Sequence, residues 1–200
     1  VAFTVLTVDE ICDVSGMHER ATNIREAVRR ALESLKDKQY TPQDLLGALE
    51  EPTWAVNEKG EPDKPWRGHA DSAAKYIRSL AKLRVFGTTS TQIGRLLKPA
   101  HVAIVDLSGL EDKAMSYIAS RILYGVYESV ARESYEYPAF ILIEEAHKFI
   151  PPQRETYASL IINKIAAEGR KFGVFLTLIT QRPSKVDPDS LSQCNSQIIM

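Results

Sequence analysis

Cysteine is scarce in this chain. Cys12 and Cys194 are the two in 200 residues, too few for a disulfide framework, and no Cys-x-x-Cys pair offers half of a zinc site. Such usage fits a reducing interior. Long apolar runs are missing too: nothing approaches the roughly 18 residues needed to span a bilayer. No basic stretch precedes a long apolar segment near Val1, so no secretory signal is expected, and the reading is of a cytoplasmic protein with no membrane partner. Charge of one sign is also lacking. Lys plus Arg is 25 against 26 for Asp plus Glu, a net charge of −1, which excludes a generally basic, histone-like binder but not a local basic lining. GxxxxGK[ST], GxGxxG, a nucleophile elbow and HExxH are all absent from these 200 residues. The first residue is Val rather than Met, and the last three are the apolar Ile198-Ile199-Met200, so a segment of a longer chain is expected.

What is present divides near residue 100. Charge does not mark the division, since residues 1–100 carry net +1 and residues 101–200 net −2. Hydrophobic periodicity does. The first half reads as helices: a capping box from Thr7 to Glu10 ahead of 8–14, an amphipathic stretch over about 19–37, and Thr41-Pro42-Gln43-Asp44 as a helix start. Residues 51–68, with five prolines or glycines and many charges, read as an exposed loop in which Trp54 and Trp66 are anchors. A helix follows over about 70–84.

The second half alternates strands and helices. Strands are expected at His101–Leu107, Ala139–Ile143, within Phe172–Thr180 and from Gln197, with helices over 111–134 and 154–168. Continuous apolar strands separated by helices predict a parallel sheet covered on both faces. In such sheets ligands bind beyond the carboxyl ends of the strands.

Candidate chemistry lies at those ends. Phe140-Ile141-Leu142-Ile143-Glu144-Glu145 is four apolar residues and then two acids. Two readings are open: a solvated turn, or a strand carrying one acid to a hydrated magnesium ion and a second to the water that attacks a γ-phosphate. Glu144 with His147 also has the Glu-x-x-His spacing of a di-iron site, but that site needs helices and a second copy, and neither is here. His147 reads as a hydrogen-bonding turn residue. Gln181, after the next strand, either orients water and phosphate through its amide or marks a plain strand exit. In Glu168-Gly169-Arg170-Lys171, Gly169 reads as a helix-stop signal and the bases suit the helix dipole, or Arg170 acts in trans on a transferring phosphate. Lys148 and Arg154 are either solvated charges or phosphate contacts.

Taken together, IVDLSGL (104–110), ILIEEAHKFIPP (141–152), AAEGRKFGV (166–174) and TQRPSKVDPDSLSQCNSQII (180–199) resemble the HerA group of hexameric DNA-translocating ATPases, in the broad class of the FtsK motors. The likeness is strong over about 101–200 and weak over 1–100, which looks like the helical insertion after the nucleotide loop. It implies an α/β, parallel-sheet P-loop NTPase core, RecA/ASCE-like and incomplete, over 101–200, with an N-terminal helical insertion subdomain over 1–100. By resemblance, Glu144 and Glu145 match the Walker B acids, Glu144 toward magnesium through water and Glu145 as catalytic base. Gln181 matches the polar sensor, Arg170 the trans-acting arginine, and Asp106 a strand residue that is structural first. The implied cofactors are ATP and Mg2+. The implied partners are double-stranded DNA, five further copies in a homo-hexamer and a NurA-type nuclease, in DNA-end processing and repair. The family's upstream phosphate loop, N-terminal β-barrel and last strands have no counterpart here, so little or no ATPase is expected of these 200 residues alone. Two alternatives remain: a related ring ATPase powering conjugation or protein secretion, and a non-catalytic interaction module on a degenerate ATPase fold.

Overall fold

The structure is a computed structural model that describes residues 1–36, 39–83 and 85–198. The chain forms two compact units, Val1–Thr91 and Gln92–Met200.

The first unit is helical: α1 (Val8–Val14), α2 (Thr22–Glu33), α3 (Pro42–Glu50) and α4 (Lys64–Lys82). Short-range chemistry sets the starts. Thr7 accepts from the Glu10 N–H while Glu10 accepts from the Thr7 N–H, and Thr41 and Asp44 repeat the exchange ahead of Pro42. α2 begins three residues later than its apolar periodicity suggested, and residue 37, the expected end, lies outside the described residues. α4 begins six residues earlier than expected: Asp63 accepts from the Trp66 N–H, and Pro65 sits in the first turn, where it withholds no needed donor. Trp66 is therefore helical rather than part of the loop, with the Arg30 guanidinium 3.7 Å above its ring. Trp54 does anchor the loop, donating from Nε1 to the Ala48 carbonyl at 3.0 Å. The apolar stripes meet in a core of Phe3, Ile11, Met17, Val28, Leu45, Leu49, Ile77 and Leu80, all inaccessible or nearly so. Burial of each large side chain contributes about 1.5–3 kcal/mol before entropy is subtracted.

The second unit is α/β. A small parallel sheet pairs β1 (Ala139–Ile143) with β2 (Val174–Leu178), in register from Ala139 opposite Val174 to Ile143 opposite Leu178. α5 (Asp112–Ala131) and α6 (Tyr157–Glu168) pack on each other and, with Ala139, Ile143 and Val174, build the core. A short α7 (Pro188–Ser192), capped by Asp187, follows β2. α5 is shorter at both ends than the expected 111–134, and α6 starts at Tyr157 rather than 154 because Thr156 is its cap.

Three expectations are corrected. His101–Leu107 is no strand: the run is unpaired, with Val102 90% and Ile104 89% exposed. Apolar β-branched residues favour extension, but a strand exists only beside another that takes its N–H and C=O groups, and no described strand pairs with this run. The sheet is not covered on both faces among the described residues: Phe140 (71%) and Leu142 (65%) face water, and Phe140 stacks on Phe175 in the open. Finally, Gln197 and Ile198 belong to no strand, and Ile199 and Met200 lie outside the described residues.

Gly169 marks the end of α6 as expected: it is the C-cap, its N–H donating to the Ile165 carbonyl. Its φ is −55°, so the left-handed residue here is not Gly169 but Gly173, at +79°. Gly169 also serves close approach, since a Cβ there would stand 2.8 Å from the Val174 carbonyl oxygen.

Candidate functional site

The carboxyl ends of β1 and β2 converge. Alternation along β1 turns Glu144 outward with Phe140 and Leu142, and it is exposed. Glu145 then breaks the strand with φ +51°, a left-handed conformation uncommon for a residue with a Cβ. A single 3-10 turn, Ala146–Lys148, follows. The Ala146 N–H donates to the Ile179 carbonyl at 3.0 Å, and the Ile179 N–H to the Ile143 carbonyl at 2.9 Å, so the strand ends stay joined beyond the sheet.

His147 occupies the junction. Its Nδ1 is hydrogen-bonded to Thr180 Oγ1 at 3.2 Å and lies 3.2 Å from Glu145 Oε2. Thr180 Oγ1 also accepts from the Arg182 N–H at 3.0 Å, closing a turn around exposed Gln181. Glu145 and Gln181 are thus brought to one locality. The Thr180 hydroxyl and the bridging position of His147 were not legible from spacing, because the contact spans 33 residues.

The other candidates lie elsewhere. Arg170 is exposed in the 3-10 turn Gly169–Phe172, at the amino end of β2. Five strand residues, about 16 Å of extended chain, separate that end from the acids. Within one chain, then, Arg170 does not reach Glu145. Its neighbour Glu168 faces the other way, accepting from the Tyr127 hydroxyl at 2.8 Å; burial and that bonded carboxylate push Tyr127 up to about 12. Asp106 is exposed; its Oδ1 accepts from the Ser108 N–H at 2.8 Å, and that backbone bond, with the Ser108 hydroxyl, holds its carboxyl below the usual value. Lys148 and Arg154 share a cavity of about 190 Å³ with Asp112, His147, Pro151 and the α6 cap Thr156. Neither cation makes an ion pair among the described residues. No three His, Cys, Asp or Glu side chains converge as a metal site among the described residues, and no described helix is long and apolar enough to cross a membrane.

The second unit is thus of the α/β class, with acids at the end of one parallel strand beside a polar turn on its neighbour, at the edge where ligands of such sheets commonly bind. The comparison with known families is narrower. Residues 1–126 match the family model of the HerA helicase central domain, and the chain belongs to that family. The match includes the helical half, whose motifs resemble the family only weakly. Similar proteins include the DNA double-strand break repair helicase HerA of Pyrococcus furiosus, 28% identical over 244 residues (96% of this chain and 44% of that protein). HerA of Sulfurisphaera tokodaii is 27% identical over 217 residues (98% of this chain, 43% of that one). HerA of Saccharolobus solfataricus is 34% identical over 122 residues (58% and 24%). The chain thus spans less than half the length of these relatives.

Proposed function

We propose that the protein is an ATP-driven double-stranded-DNA translocase or helicase of DNA-end processing and repair, hydrolysing ATP between subunits of a hexameric ring. The observation that carries this reading is Glu145 at the end of β1, its carboxylate 3.2 Å from the His147 ring that is hydrogen-bonded to Thr180 in the turn that carries Gln181. The second unit is then the carboxyl part of a RecA/ASCE-like core, and the helical unit its insertion. The relatives named as double-strand break repair helicases support the DNA reading.

The residues fit a nucleotide and a hydrated divalent ion. Glu144 is solvent-exposed at the strand end and makes no ion pair among the described residues, as an acid that takes a metal through water requires. Magnesium, when bound with ATP, would offset the charge on the phosphates. Glu145 would accept the proton of the attacking water, and the Gln181 amide would donate to phosphate and accept from water. Arg170, remote from Glu145 in its own chain, would act on the nucleotide of an adjacent subunit. Lys148 and Arg154, unpaired around one cavity, would contact DNA phosphates. A nuclease of the NurA type would complete the end-processing reaction. No phosphate cradle of the GxxxxGK[ST] kind is among these residues, so turnover belongs to the full-length protein.

In that full-length protein, Glu145→Gln lowers ATP turnover by about 10²–10⁴-fold while ATP binding persists. Arg170→Ala also loses turnover with binding intact. Wild-type turnover in either variant removes that residue from its role. Duplex DNA stimulates the ATPase at low salt; absence of stimulation favours a protein-moving ring motor instead.

A further inference from the structure

His147 touches both strand ends through one atom. Its Nδ1 stands 3.2 Å from Thr180 Oγ1 on the β2 side and 3.2 Å from Glu145 Oε2 on the β1 side. A carboxylate beside Nδ1 favours the tautomer with its proton there; that one N–H lines up with Thr180 Oγ1, and the Glu145 carboxylate lies close beside it without an aligned hydrogen bond of its own. Thr180 Oγ1 is used a second time, accepting from the Arg182 N–H, and that bond closes the turn around Gln181. The imidazole is well packed, with its side chain 13% exposed, whereas the Glu145 side chain is 44% exposed. A half-exposed carboxylate is therefore held from behind by a packed ring. The left-handed φ of Glu145, +51°, is a conformation that a residue with a Cβ keeps only where its surroundings impose it.

We propose that His147 is a positioning residue that holds the Glu145 carboxylate and the Gln181 turn in one register, so that both strand ends act on the attacking water together. This rests on the reading of Glu145 as the base. The physical reason is rigidity. A glutamate on its own has three rotatable bonds, and a misplacement of about 1 Å costs on the order of 10²-fold in rate. Because both contacts converge on Nδ1, the strand ends cannot separate by an ångström without losing one of them.

The test is steady-state and binding kinetics of the full-length protein with ATP, magnesium and duplex DNA. His147→Ala lowers kcat about 10–100-fold and leaves KM for ATP within about twofold. His147→Asn, whose side-chain N–H can stand where the Nδ1 proton stands, restores most of the rate. Thr180→Val reproduces the loss, and Thr180→Ser does not. The double variant His147→Ala/Thr180→Val is no slower than the worse single variant, because the two belong to one set. Losses that instead multiply in the double variant overturn the proposal, as does a change confined to KM or an Asn variant as slow as Ala. Glu145→Gln runs alongside as the control. If it abolishes turnover while His147→Ala and Thr180→Val keep wild-type kcat, the positioning role is wrong and the base stands. If Glu145→Gln itself keeps turnover, the base assignment fails first. Should His147→Ala melt early, Thr180→Val, which is close to isosteric, carries the test.

Discussion

The two units bury apolar side chains to very different degrees. In Val1–Thr91 the large apolar residues left in water are few, such as Val5, Val56 and Tyr76 at the margins. In Gln92–Met200 they include Val102, Ile104, Phe140, Leu142, Leu160 and Phe175, several of them on one sheet face. A helix satisfies its own backbone hydrogen bonds, so the helices of the first unit can close a core without lending those bonds to a neighbour. A strand cannot. β1 and β2 satisfy each other along one edge, and each leaves its second edge without a partner among the described residues. The lesson is that the helical unit is energetically self-contained, while the α/β unit concentrates its order where β1, β2, α5 and α6 meet.

Large-to-small substitution tests this contrast most strongly. Ile77→Ala, at a fully buried position of α4, costs about 2–5 kcal/mol. Phe140→Ala, on the open sheet face, costs well under that, about 1 kcal/mol or less. Chemical denaturation of the same chain followed by a probe in each unit reads both; equal losses would break the comparison.

A smaller effect is expected at Gly169→Ala. The new methyl would meet the Val174 carbonyl oxygen and Ile165, so the end of α6 must move off β2, at a cost of about 1–3 kcal/mol. Ala at Gly47, with open space around its Cβ position, is the control in the helical unit, and there the change raises helix propensity by about 1 kcal/mol in the stabilising direction.

Alkaline titration probes both units, since burial also raises Tyr40 in the helical one, and the larger effect is in the α/β unit. The Tyr127 hydroxyl is raised from 10.0 to about 12, so the folded state holds this proton more tightly than the unfolded chain does. Its contribution is complete below pH 10 and is lost as pH rises toward 12. Tyr127→Phe therefore flattens the stability profile of the α/β unit across that window, as read by melting temperature against pH.

The smallest effect compares two cation–ring contacts. Arg30 lies 3.7 Å from the Trp66 centroid in the helical unit, and Lys164 lies 4.6 Å from that of Tyr127 in the other. Arg30→Leu costs about 0.5–1 kcal/mol, and Lys164→Leu less, since the shorter contact with the larger ring is the stronger. The two melting temperatures check the order.

How much of this was legible in the sequence depends on the range of the interaction that decides it. The capping box at Thr7 and the helix start at Thr41-Pro42 act over three residues, and both formed as read, the second with a capping box of its own through Asp44. β1, β2 and the helices around them followed from apolar runs of the right length. The start of α4 was missed because the Pro and Gly content around it outweighed Asp63 and Pro65 as a start signal. His101–Leu107 was overread, because strand propensity is a property of a segment while pairing is a property of two. The acids at 144 and 145 were visible as a pattern, but their relation to Gln181 was not.

The sequence by itself determined the helix starts, the apolar stripes and the order of strand, acids, helix and strand, since these rest on residues a few positions apart. Only the tertiary structure decided that His147 meets Thr180, that Arg170 stands at the far end of the strands from Glu145, and that one sheet face stays in water. Each of those is set by contacts across tens of residues, where side-chain spacing along the chain carries no information about distance in space.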